Sequence, residues 1–205
     1  MAPKFRLVAG LGNPTPRYQK TRHNAGFWFL DRLAAAYRVE FRHDPRFHGL
    51  LARLDLMGEV VYLLKPTTFM NRSGQSIGAL VNYFKLETTD VLVAHDELDL
   101  APGVARLKRG GGHGGHNGLR DLIPHLGSPD FYRLRFGIGH PGDRAAVIEY
   151  VLHPPSRPEE EQIEHAMDRA VALASELFAG RLELVMNRLH GADGFQSKKE
   201  IDTKP

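Results

Sequence analysis

One histidine of the chain is placed where it could act as a general base. His23 lies in the run Thr21-Arg22-His23-Asn24, just ahead of apolar residues at helical spacing: Phe27, Leu30, Ala34 and Tyr37. Extending that stripe back by one turn puts His23 on the same inward face, at the N-terminal end of the helix. The positive end of a helix dipole disfavours imidazolium, so the sequence predicts a neutral ring that can accept a proton from water. Taken alone, the pattern is more typical of a structural histidine.

A carboxylate that could orient this base follows a short apolar strand. Residues 90–94 are predicted to form the strand, and His95-Asp96-Glu97 stands at its carboxyl end, where open α/β sheets present functional groups. A carboxylate that accepts one ring N–H fixes the tautomer of a catalytic histidine and stabilises its imidazolium form. A metal site formed by His95, Asp96 and Asp99 stays open as an alternative. Against it, no HExxH-like spacing is present and adjacent strand side chains diverge.

A glycine-rich stretch carries a small number of polar side chains. Gly110-Gly-Gly-His-Gly-Gly-His-Asn-Gly118 has little bulk, so a polyanion or a peptide backbone could approach its main chain closely. Arg106, Lys108 and Arg109 come just before it, which favours a phosphate-contacting loop over a flexible linker. The earlier Gly10-x-Gly12 does not continue to the third glycine of a dinucleotide-binding motif.

Three asparagines, Asn13, Asn71 and Asn117, lie in turns or just before helices. Each one by itself is explained by capping or by left-handed backbone. Opening together onto one cleft, their amides could donate and accept hydrogen bonds to a peptide-like substrate and orient a water molecule without titrating.

The composition indicates an ordinary globular protein, and its charge pattern suits either a polyanionic partner or solvated basic faces. A chain of 205 residues with 42% hydrophobic residues is long enough to bury a core as one domain, and the absence of cysteine excludes disulfides and thiolate chemistry. This favours the cytoplasm. No membrane-spanning run or signal peptide is predicted, since Lys4 and Arg6 interrupt the short N-terminus. Charge is uneven, at +7 over residues 1–54, −4 over 55–100 and +4 over 101–140, which suits a polyanion.

The order of apolar segments predicts an α/β fold. Strands are expected at residues 4–9, 49–56, 59–64, 90–94 and 131–137, with Met57-Gly58 turning a hairpin. Helices are expected after His23, after a capping Ser73, over 119–126 and 144–152, and as one long final helix from Ile163 to Leu177. The sequence therefore predicts a single globular domain over residues 1–193, with a mixed, mostly parallel β-sheet flanked by α-helices, and a polar, disordered tail over 194–205.

Several blocks of the sequence together resemble the bacterial peptidyl-tRNA hydrolase family. They are Gly10-Leu-Gly-Asn-Pro14, Thr21-Arg-His-Asn-Ala-Gly26, Pro66-Thr-Thr-Phe-Met-Asn71, Val93-Ala-His-Asp-Glu-Leu-Asp99, Gly110-Gly-Gly-His-Gly-Gly-His-Asn-Gly-Leu119, Gly137-Ile-Gly-His-Pro-Gly-Asp143 and Asn187-Arg-Leu-His190. The resemblance covers residues 4–190 in the same order, and such an ordered series is far more specific than any single motif. The sequence differs from the family around Ser128-Pro129-Asp130 and beyond Gly191.

The resemblance implies an enzyme that hydrolyses the ester joining a peptide to the 3′ end of tRNA. The products are free tRNA and peptide, so the reaction recycles peptidyl-tRNA that ribosomes release prematurely. A monomeric, cytoplasmic α/β protein is implied, with peptidyl-tRNA as its partner, no membrane association, no metal and no cofactor. A non-catalytic RNA-binding protein, in which His23 is structural, is the alternative.

The resemblance also assigns roles to individual residues. It makes His23 the base that activates water and Asp96 its orienting carboxylate. The residues that would bind peptide backbone, terminal nucleotide or water are Asn13, Asn71 and Asn117. The residues that would line the cleft are Tyr18, Met70 and His113. Lys108 and Arg135 match positions that contact tRNA phosphate, and Arg106 stands where a related basic residue occurs.

Overall fold

The computed structural model describes residues 4–56 and 58–191. The strands are β1 (Leu7–Gly10), β2 (Arg42–Asp44), β3 (Gly49–Leu56), β4 (Glu59–Pro66), β5 (Val91–Glu97), β6 (Ala105–Arg109) and β7 (Tyr132–Gly137). The α-helices are α1 (Ala25–Tyr37), α2 (Ser73–Phe84), α3 (Asn117–Leu126), α4 (Val147–Val151), α5 (Arg157–Ala172), α6 (Ala174–Phe178) and α7 (Leu182–Gly191). Short 3₁₀ turns at Pro16–Tyr18, Arg22–Asn24 and Met70–Arg72 lie close to the predicted site residues.

One sheet contains all seven described strands, in the order β2-β3-β4-β1-β5-β7-β6. β1 pairs in parallel with β4 and β5, and β5 pairs in parallel with β7, while β2–β3, β3–β4 and β6–β7 are antiparallel. Five of the seven strands consequently run in the same direction. The predicted mixed, mostly parallel sheet is confirmed, and the segments that follow β1, β4 and β5 meet at one edge of it.

Helices cover both faces of the sheet because the central strands are apolar on both sides. On β5, Leu92 and Ala94 face one cluster, in which α1, α5, α6 and α7 pack. Val91 and Val93 face the other cluster, in which α2 and α3 pack. A central parallel strand buried on both faces reads as a continuous apolar run, which is why the sequence identified β5 easily.

Three elements escaped the sequence analysis. The edge strands β2 and β6 are short and rich in charged residues, so they lack the apolar alternation that marks a strand. Helix α7 lies beyond the last predicted helix. The predicted long helix over 163–177 is divided into α5 and α6, because Leu173 leaves helical geometry at φ −96° and ψ 5°. The predicted tail over 194–205 falls outside the described residues.

Ser73 does not cap α2, contrary to the prediction. It is the first residue of the helix, and its hydroxyl donates a 2.8 Å hydrogen bond to the carbonyl of Met70. A capping hydroxyl would instead accept a hydrogen bond from a backbone N–H of the first turn. Ser73 therefore connects the helix to the preceding 3₁₀ turn.

In the described part of the chain, no helix is both long and apolar enough to cross a membrane.

Helix α1 approaches the sheet closely at Gly26. A Cβ atom there would lie 2.3 Å from the carbonyl oxygen of Ala94 and 2.4 Å from the backbone nitrogen of Leu11. Both neighbours are backbone atoms, which cannot move aside as a flexible side chain could. The glycine thus sets the distance between α1 and the sheet, and with it the position of the turn that carries His23.

Replacing Gly26 with alanine is expected to lower the free energy of unfolding by about 1–3 kcal/mol or more, because the added methyl overpacks this contact. Urea-induced unfolding followed by circular dichroism measures the change. Gly112→Ala is the matched control, since a Cβ at Gly112 meets no described atom within 4 Å. Equal stability of the Gly26→Ala variant and the parent would contradict the close-packing argument.

Candidate active site

The imidazole of His23 contacts the carboxylate of Asp96 directly. His23 lies in the 3₁₀ turn before α1, Asp96 lies near the end of β5, and the two residues are 7% and 3% exposed. The His23 Nδ1 atom is 3.0 Å from Asp96 Oδ1 and 2.9 Å from Oδ2. The fold therefore brings together two residues 73 positions apart in the sequence.

The electrostatics of this pair favour an ionised carboxylate. Burial opposes ionisation of Asp96, but the neighbouring imidazoles of His23 and His116 outweigh it and hold the pKa of Asp96 well below its ordinary value. An ionised carboxylate only accepts hydrogen bonds, so Nδ1 of His23 carries a proton. The other ring nitrogen, Nε2, forms no hydrogen bond with any described residue and is left to interact with a substrate.

The predicted neutral bias of His23 is wrong. The residue precedes α1 instead of occupying its first turn, so the helix dipole acts on it less directly than expected. Burial does lower the pKa of His23, but the charge and hydrogen bond of Asp96 outweigh burial, and the net pKa is raised. The carboxylate 2.9 Å away therefore accounts for the raised pKa of the ring.

A second histidine, His116, also binds Asp96 and was missed by the sequence analysis. Its Nδ1 accepts hydrogen bonds from the backbone N–H groups of Gly118 and Leu119, at 3.1 and 3.4 Å, and so caps α3. The ring proton is thereby placed on Nε2, which donates to Asp96 Oδ1 at 2.9 Å. One sequence signal could have identified His116: it directly precedes Asn117, just before the predicted helix over 119–126.

His113, which was expected to line the cleft, lies elsewhere in the glycine-rich loop. It is partly exposed, and its Nδ1 accepts a 3.0 Å hydrogen bond from the N–H of Gly115. The described contacts of the two loop histidines thus differ, because only His116 reaches the carboxylate of Asp96. A role for His113 at the substrate stays a prediction.

The alternative metal site of His95, Asp96 and Asp99 is not assembled. His95 is buried, and burial followed by the charge of His116 lowers its pKa to about 3, so the ring is neutral. Its Nδ1 lies 2.6 Å from the carbonyl oxygen of Asp96, while the Asp96 carboxylate is directed to His23 and His116. Asp99 is exposed. As expected for neighbours on a strand, the side chains of His95 and Asp96 diverge.

Within residues 4–56 and 58–191, His23, Asp96 and His116 form the one group of three side chains close enough for a shared metal ion, with candidate ligand atoms within 4.8 Å of one another. Both imidazoles use a ring N–H to reach the carboxylate at hydrogen-bonding distance, and the remaining nitrogen of His116 caps α3. A metal ion would have to displace these bonds. The arrangement fits a hydrogen-bonded cluster better than a set of metal ligands.

Asn13 is fixed in the loop after β1 by two reciprocal hydrogen bonds with Asn24. The backbone nitrogen of Asn13 donates to Asn24 Oδ1 at 2.9 Å, and Asn24 Nδ2 donates to the Asn13 carbonyl at 3.0 Å. Asn13 Oδ1 in turn accepts a 2.9 Å bond from the backbone nitrogen of Met70. Asn24, which follows His23 directly, was not among the predicted site residues, although it links the Asn13 loop to the turn that carries His23.

The remaining amides and cleft residues lie on segments around this cluster. Asn71 is exposed in the 3₁₀ turn after β4, and Asn117 is exposed at the start of α3, where its Oδ1 accepts a 2.9 Å bond from Arg120. Met70 is 4% exposed and packs toward Gly118, where a Cβ would lie 2.6 Å from its Sδ. Tyr18 is partly exposed and hydrogen-bonded to Arg17. Convergence of the three asparagine amides on one substrate stays a prediction.

A buried arginine holds the glycine-rich loop in place. Arg133 on β7 is 3% exposed, and its guanidinium donates to the carbonyl of Gly112 at 2.5 Å and to that of Gly111. Gly111 and Gly115 have φ values of 100° and 83°, which favour glycine strongly. The loop is therefore a fixed conformation, anchored at Arg133, from which His116 reaches the carboxylate.

Three basic residues, Arg106, Lys108 and Arg135, form a surface on β6 and β7, which we call the β6–β7 basic surface. Arg106 lies directly opposite Arg135, and Lys108 lies opposite Arg133. Like charges at opposite positions destabilise a sheet unless an anion lies between them. Arg135 is also the register partner of His95, next to Asp96, and contacts Glu97 at 3.4 Å. The surface thus borders the cluster and suits phosphate.

Comparison with known proteins gives one consistent result. The family model described as Peptidyl-tRNA hydrolase matches residues 7–200. The peptidyl-tRNA hydrolase of Methylococcus capsulatus is 55% identical over 185 residues, 90% of this chain and 98% of the relative. That of Bordetella parapertussis is 52% identical over 197 residues, 95% of this chain and 92% of the relative. A crystal structure of peptidyl-tRNA hydrolase from Acinetobacter baumannii matches with a TM-score of 0.88 and 46% identity, over 92% of this chain and 96% of that one.

Replacing Arg133 with methionine is expected to increase hydrogen exchange at the amides of residues 110–116 by about tenfold or more, because charge-assisted bonds of about 1.5–3 kcal/mol each are lost. Arg133→Lys, which keeps the charge without the forked geometry, should give an intermediate increase. Mass-spectrometric hydrogen exchange measures both. Arg32→Met, which removes only partly exposed ion pairs on α1, is the control. Unchanged hydrogen exchange in Arg133→Met would show that Arg133 does not stabilise the loop conformation.

Proposed function

The chain belongs to the peptidyl-tRNA hydrolase family, and from this premise we propose that it hydrolyses the ester between a peptide and the 3′ end of tRNA, with His23 as the general base. The products are free tRNA and a peptide with a free carboxyl group, so the reaction recycles peptidyl-tRNA released prematurely by ribosomes. Membership of this family favours the hydrolase over the non-catalytic RNA-binding protein considered as the alternative.

One observation carries the assignment of the base. Asp96 binds Nδ1 of His23 at 2.9 Å, which leaves Nε2 as the proton acceptor. The carboxylate fixes the tautomer and compensates the positive charge that the ring acquires during proton transfer. His116 donates to the same carboxylate and so restricts its orientation. We assign His116 a positioning role, through Asp96.

The reaction needs only proton transfers and an attacking water. His23 Nε2 accepts a proton from water while the water oxygen bonds to the ester carbonyl carbon. The tetrahedral intermediate then breaks its bond to the ribose oxygen, which takes the proton back from His23. Asp96 stays ionised throughout. An ester with a ribose leaving group is reactive enough for a positioned base, worth about 10²–10⁴ in rate, together with polar groups for the oxyanion.

Three amides are proposed to hold the substrate. The role is best supported for Asn13, because its Oδ1 already accepts a hydrogen bond from the backbone N–H of Met70, whereas its Nδ2 forms no hydrogen bond with a described residue. That N–H group is available to the substrate carbonyl or to the developing oxyanion. Asn71 and Asn117 are proposed to bind peptide backbone or the terminal nucleotide, beside Tyr18 and Met70.

The β6–β7 basic surface is proposed to bind the acceptor arm of the tRNA. Contacts from Lys108 and Arg135 to phosphate fix the register of the RNA without reading its sequence, as an enzyme that accepts many tRNAs requires. Arg106 supports them from the neighbouring position on β6. We further propose that the enzyme works as a monomer and without a cofactor, because one chain supplies the base, its carboxylate and the amides. We place it in the cytoplasm, where ribosomes release its substrate.

The variant Asp96→Asn tests the catalytic assignment. A raised pKa of His23 means that kcat/KM of the parent should rise with pH and reach half its maximum above the ordinary histidine value of about 6.5. Without the carboxylate, only the lowering effect of burial remains, so the midpoint should move to lower pH. The maximal rate should fall by about 10²–10⁴. The pH profile of peptidyl-tRNA hydrolysis measures both effects.

His23→Ala is the control for this profile. This variant should lose most of the turnover, and its remaining kcat/KM should no longer depend on the ionisation of His23. Its affinity for deacylated tRNA should remain close to that of the parent. If the Asp96→Asn midpoint stays at the parent value, a group other than His23 limits the rate.

The charge removal Lys108→Ala/Arg135→Ala tests the basic surface. KM for peptidyl-tRNA should rise, and the slope of log KM against log salt should become shallower by about 0.9 for each lost phosphate contact, because fewer counterions are released. The value of kcat at saturation should change little. Steady-state kinetics at several NaCl concentrations measure the slope. An unchanged slope would contradict the proposed phosphate contacts at this surface.

A further inference from the structure

A buried histidine next to Asp96 has no part in the mechanism proposed above. His95 is 2% exposed, and its Nδ1 lies 2.6 Å from the carbonyl oxygen of Asp96. Because a carbonyl oxygen only accepts hydrogen bonds, Nδ1 carries the ring proton and donates it, and Nε2 is the nitrogen with the lone pair. Nε2 forms no hydrogen bond with a described residue. Within the described chain, the polar contact of this ring is therefore directed to the main chain of Asp96.

The carbonyl of Asp96 lies where the pairing of β1 with β5 ends. The backbone N–H of Leu11, just after β1, donates to the Ala94 carbonyl at 2.9 Å. In a parallel ladder, the bonds to one neighbouring strand recur at every second residue, so the next bond would run from the N–H of Asn13 to the carbonyl of Asp96. The N–H of Asn13 instead donates to Oδ1 of Asn24 at 2.9 Å. The chain after β1 thus leaves the sheet before it reaches this carbonyl.

His95 supplies the missing donor from its own strand. The next carbonyl of β5, that of Glu97, accepts a 3.0 Å bond from the N–H of Ile138 on the β7 side, so the Asp96 carbonyl faces the β1 side. A buried backbone carbonyl needs a donor, and the imidazole of His95 provides it. Turning this carbonyl would also turn the Cα atom of Asp96. The bond therefore fixes the backbone from which the carboxylate reaches His23.

The ring of His95 also packs against the second histidine that binds the carboxylate. His95 lies on the same face of β5 as Val93, the face that α2 and α3 cover. Its ring centroid is 5.0 Å from that of His116, at an interplanar angle of 73°. The ring of His116 in turn lies 4.8 Å from that of His23. His95 thus contacts both the residue that carries the carboxylate and one of the two imidazoles that bind it.

We propose that His95 is a positioning residue of this site, which acts through the backbone of Asp96 and the ring of His116. The inference deepens the proposed function and rests on it in so far as His23 is the base. The groups that act electrostatically on His95 are His116, Asp96 and Arg133. Burial, followed by the charge of His116, lowers the pKa of His95 to about 3. The ring therefore stays neutral near neutral pH and adds no ionisation of its own to a pH profile there.

The tautomer of His95 tests the hydrogen bond in the parent protein. The ¹⁵N chemical shifts of its imidazole should show a neutral ring protonated at Nδ1 at neutral pH, and the signals are assigned by their loss in His95→Gln. A ring protonated at Nε2 could not donate to the Asp96 carbonyl and would overturn the proposal. This measurement needs neither substrate nor a variant that is active.

Two amide substitutions separate the hydrogen bond from packing. His95→Asn places an amide N–H near the position of Nδ1, whereas His95→Gln places it near that of Nε2. His95→Gln should lower kcat by about 10–100-fold with KM close to the parent value, because the carboxylate is misplaced while the substrate contacts remain. The midpoint of its kcat/KM profile should move to lower pH, since Asp96 raises the pKa of His23 less and burial still lowers it. His95→Asn should restore most of both properties.

The matched control is His125→Gln, which removes a similar 2.7 Å contact between a ring Nδ1 and a backbone carbonyl, that of Asp121, outside the cluster. It should keep the kcat and the midpoint of the parent. Circular dichroism establishes which variants are folded, and the tautomer of the parent decides if His95→Gln is not. Parent-like kcat and midpoint in His95→Gln would overturn the proposal. Equal losses in His95→Asn and His95→Gln with an unmoved midpoint would also do so, because they indicate packing alone.

This result is distinguishable from failure of the proposed function. That failure would appear as a parent protein unable to hydrolyse peptidyl-tRNA. The pKa of His23 can then still be measured by NMR titration without substrate, and it should be lower in His95→Gln than in the parent. An equal pKa of His23 in the two proteins would overturn the positioning role whether or not the parent is active.

Discussion

A buried negative charge determines how this structure is assembled around its site. Asp96 is 3% exposed, and an uncompensated carboxylate at such a position costs several kcal/mol. Two imidazole N–H groups compensate it, from the turn before α1 and from the turn before α3. These helices cover opposite faces of the sheet, so the carboxylate connects the two layers at the ends of β1 and β5. Of these two groups, only His23 keeps a ring nitrogen without a hydrogen bond to a described residue, because His116 uses its other nitrogen to cap α3.

Close backbone approach makes this convergence possible. At Gly26, α1 lies against the sheet, and at Gly118 an added Cβ would come within 3.1 Å of the His116 ring. Asn24 then links the turn of the base to the Asn13 loop through two buried hydrogen bonds. Rigid elements hold each of these segments, which is the condition for a base to be positioned before the substrate arrives.

The sequence predicted the central strands well, because apolar runs are local signals, and it singled out His23 and Asp96, whose side chains the fold brings into contact. Edge strands β2 and β6 were missed, since their charged residues have a pattern that only pairing with a neighbour explains. The pKa of His23 was predicted in the wrong direction, because the direction depends on a carboxylate 73 residues away. His116 was passed over for His113 because backbone geometry within the loop decides which ring reaches Asp96.

The charged groups near the site divide into a buried cluster around Asp96 and a partly exposed basic surface on β6 and β7. Inside the cluster, both imidazoles lie at hydrogen-bonding distance from the carboxylate of Asp96, and His116 also caps α3. On β6 and β7, Arg106 faces Arg135, and Glu97 contacts Arg135 at 3.4 Å. Solvent and salt screen the charges of this partly exposed surface. Salt should therefore act on the binding proposed for this surface and leave the buried cluster nearly unaffected.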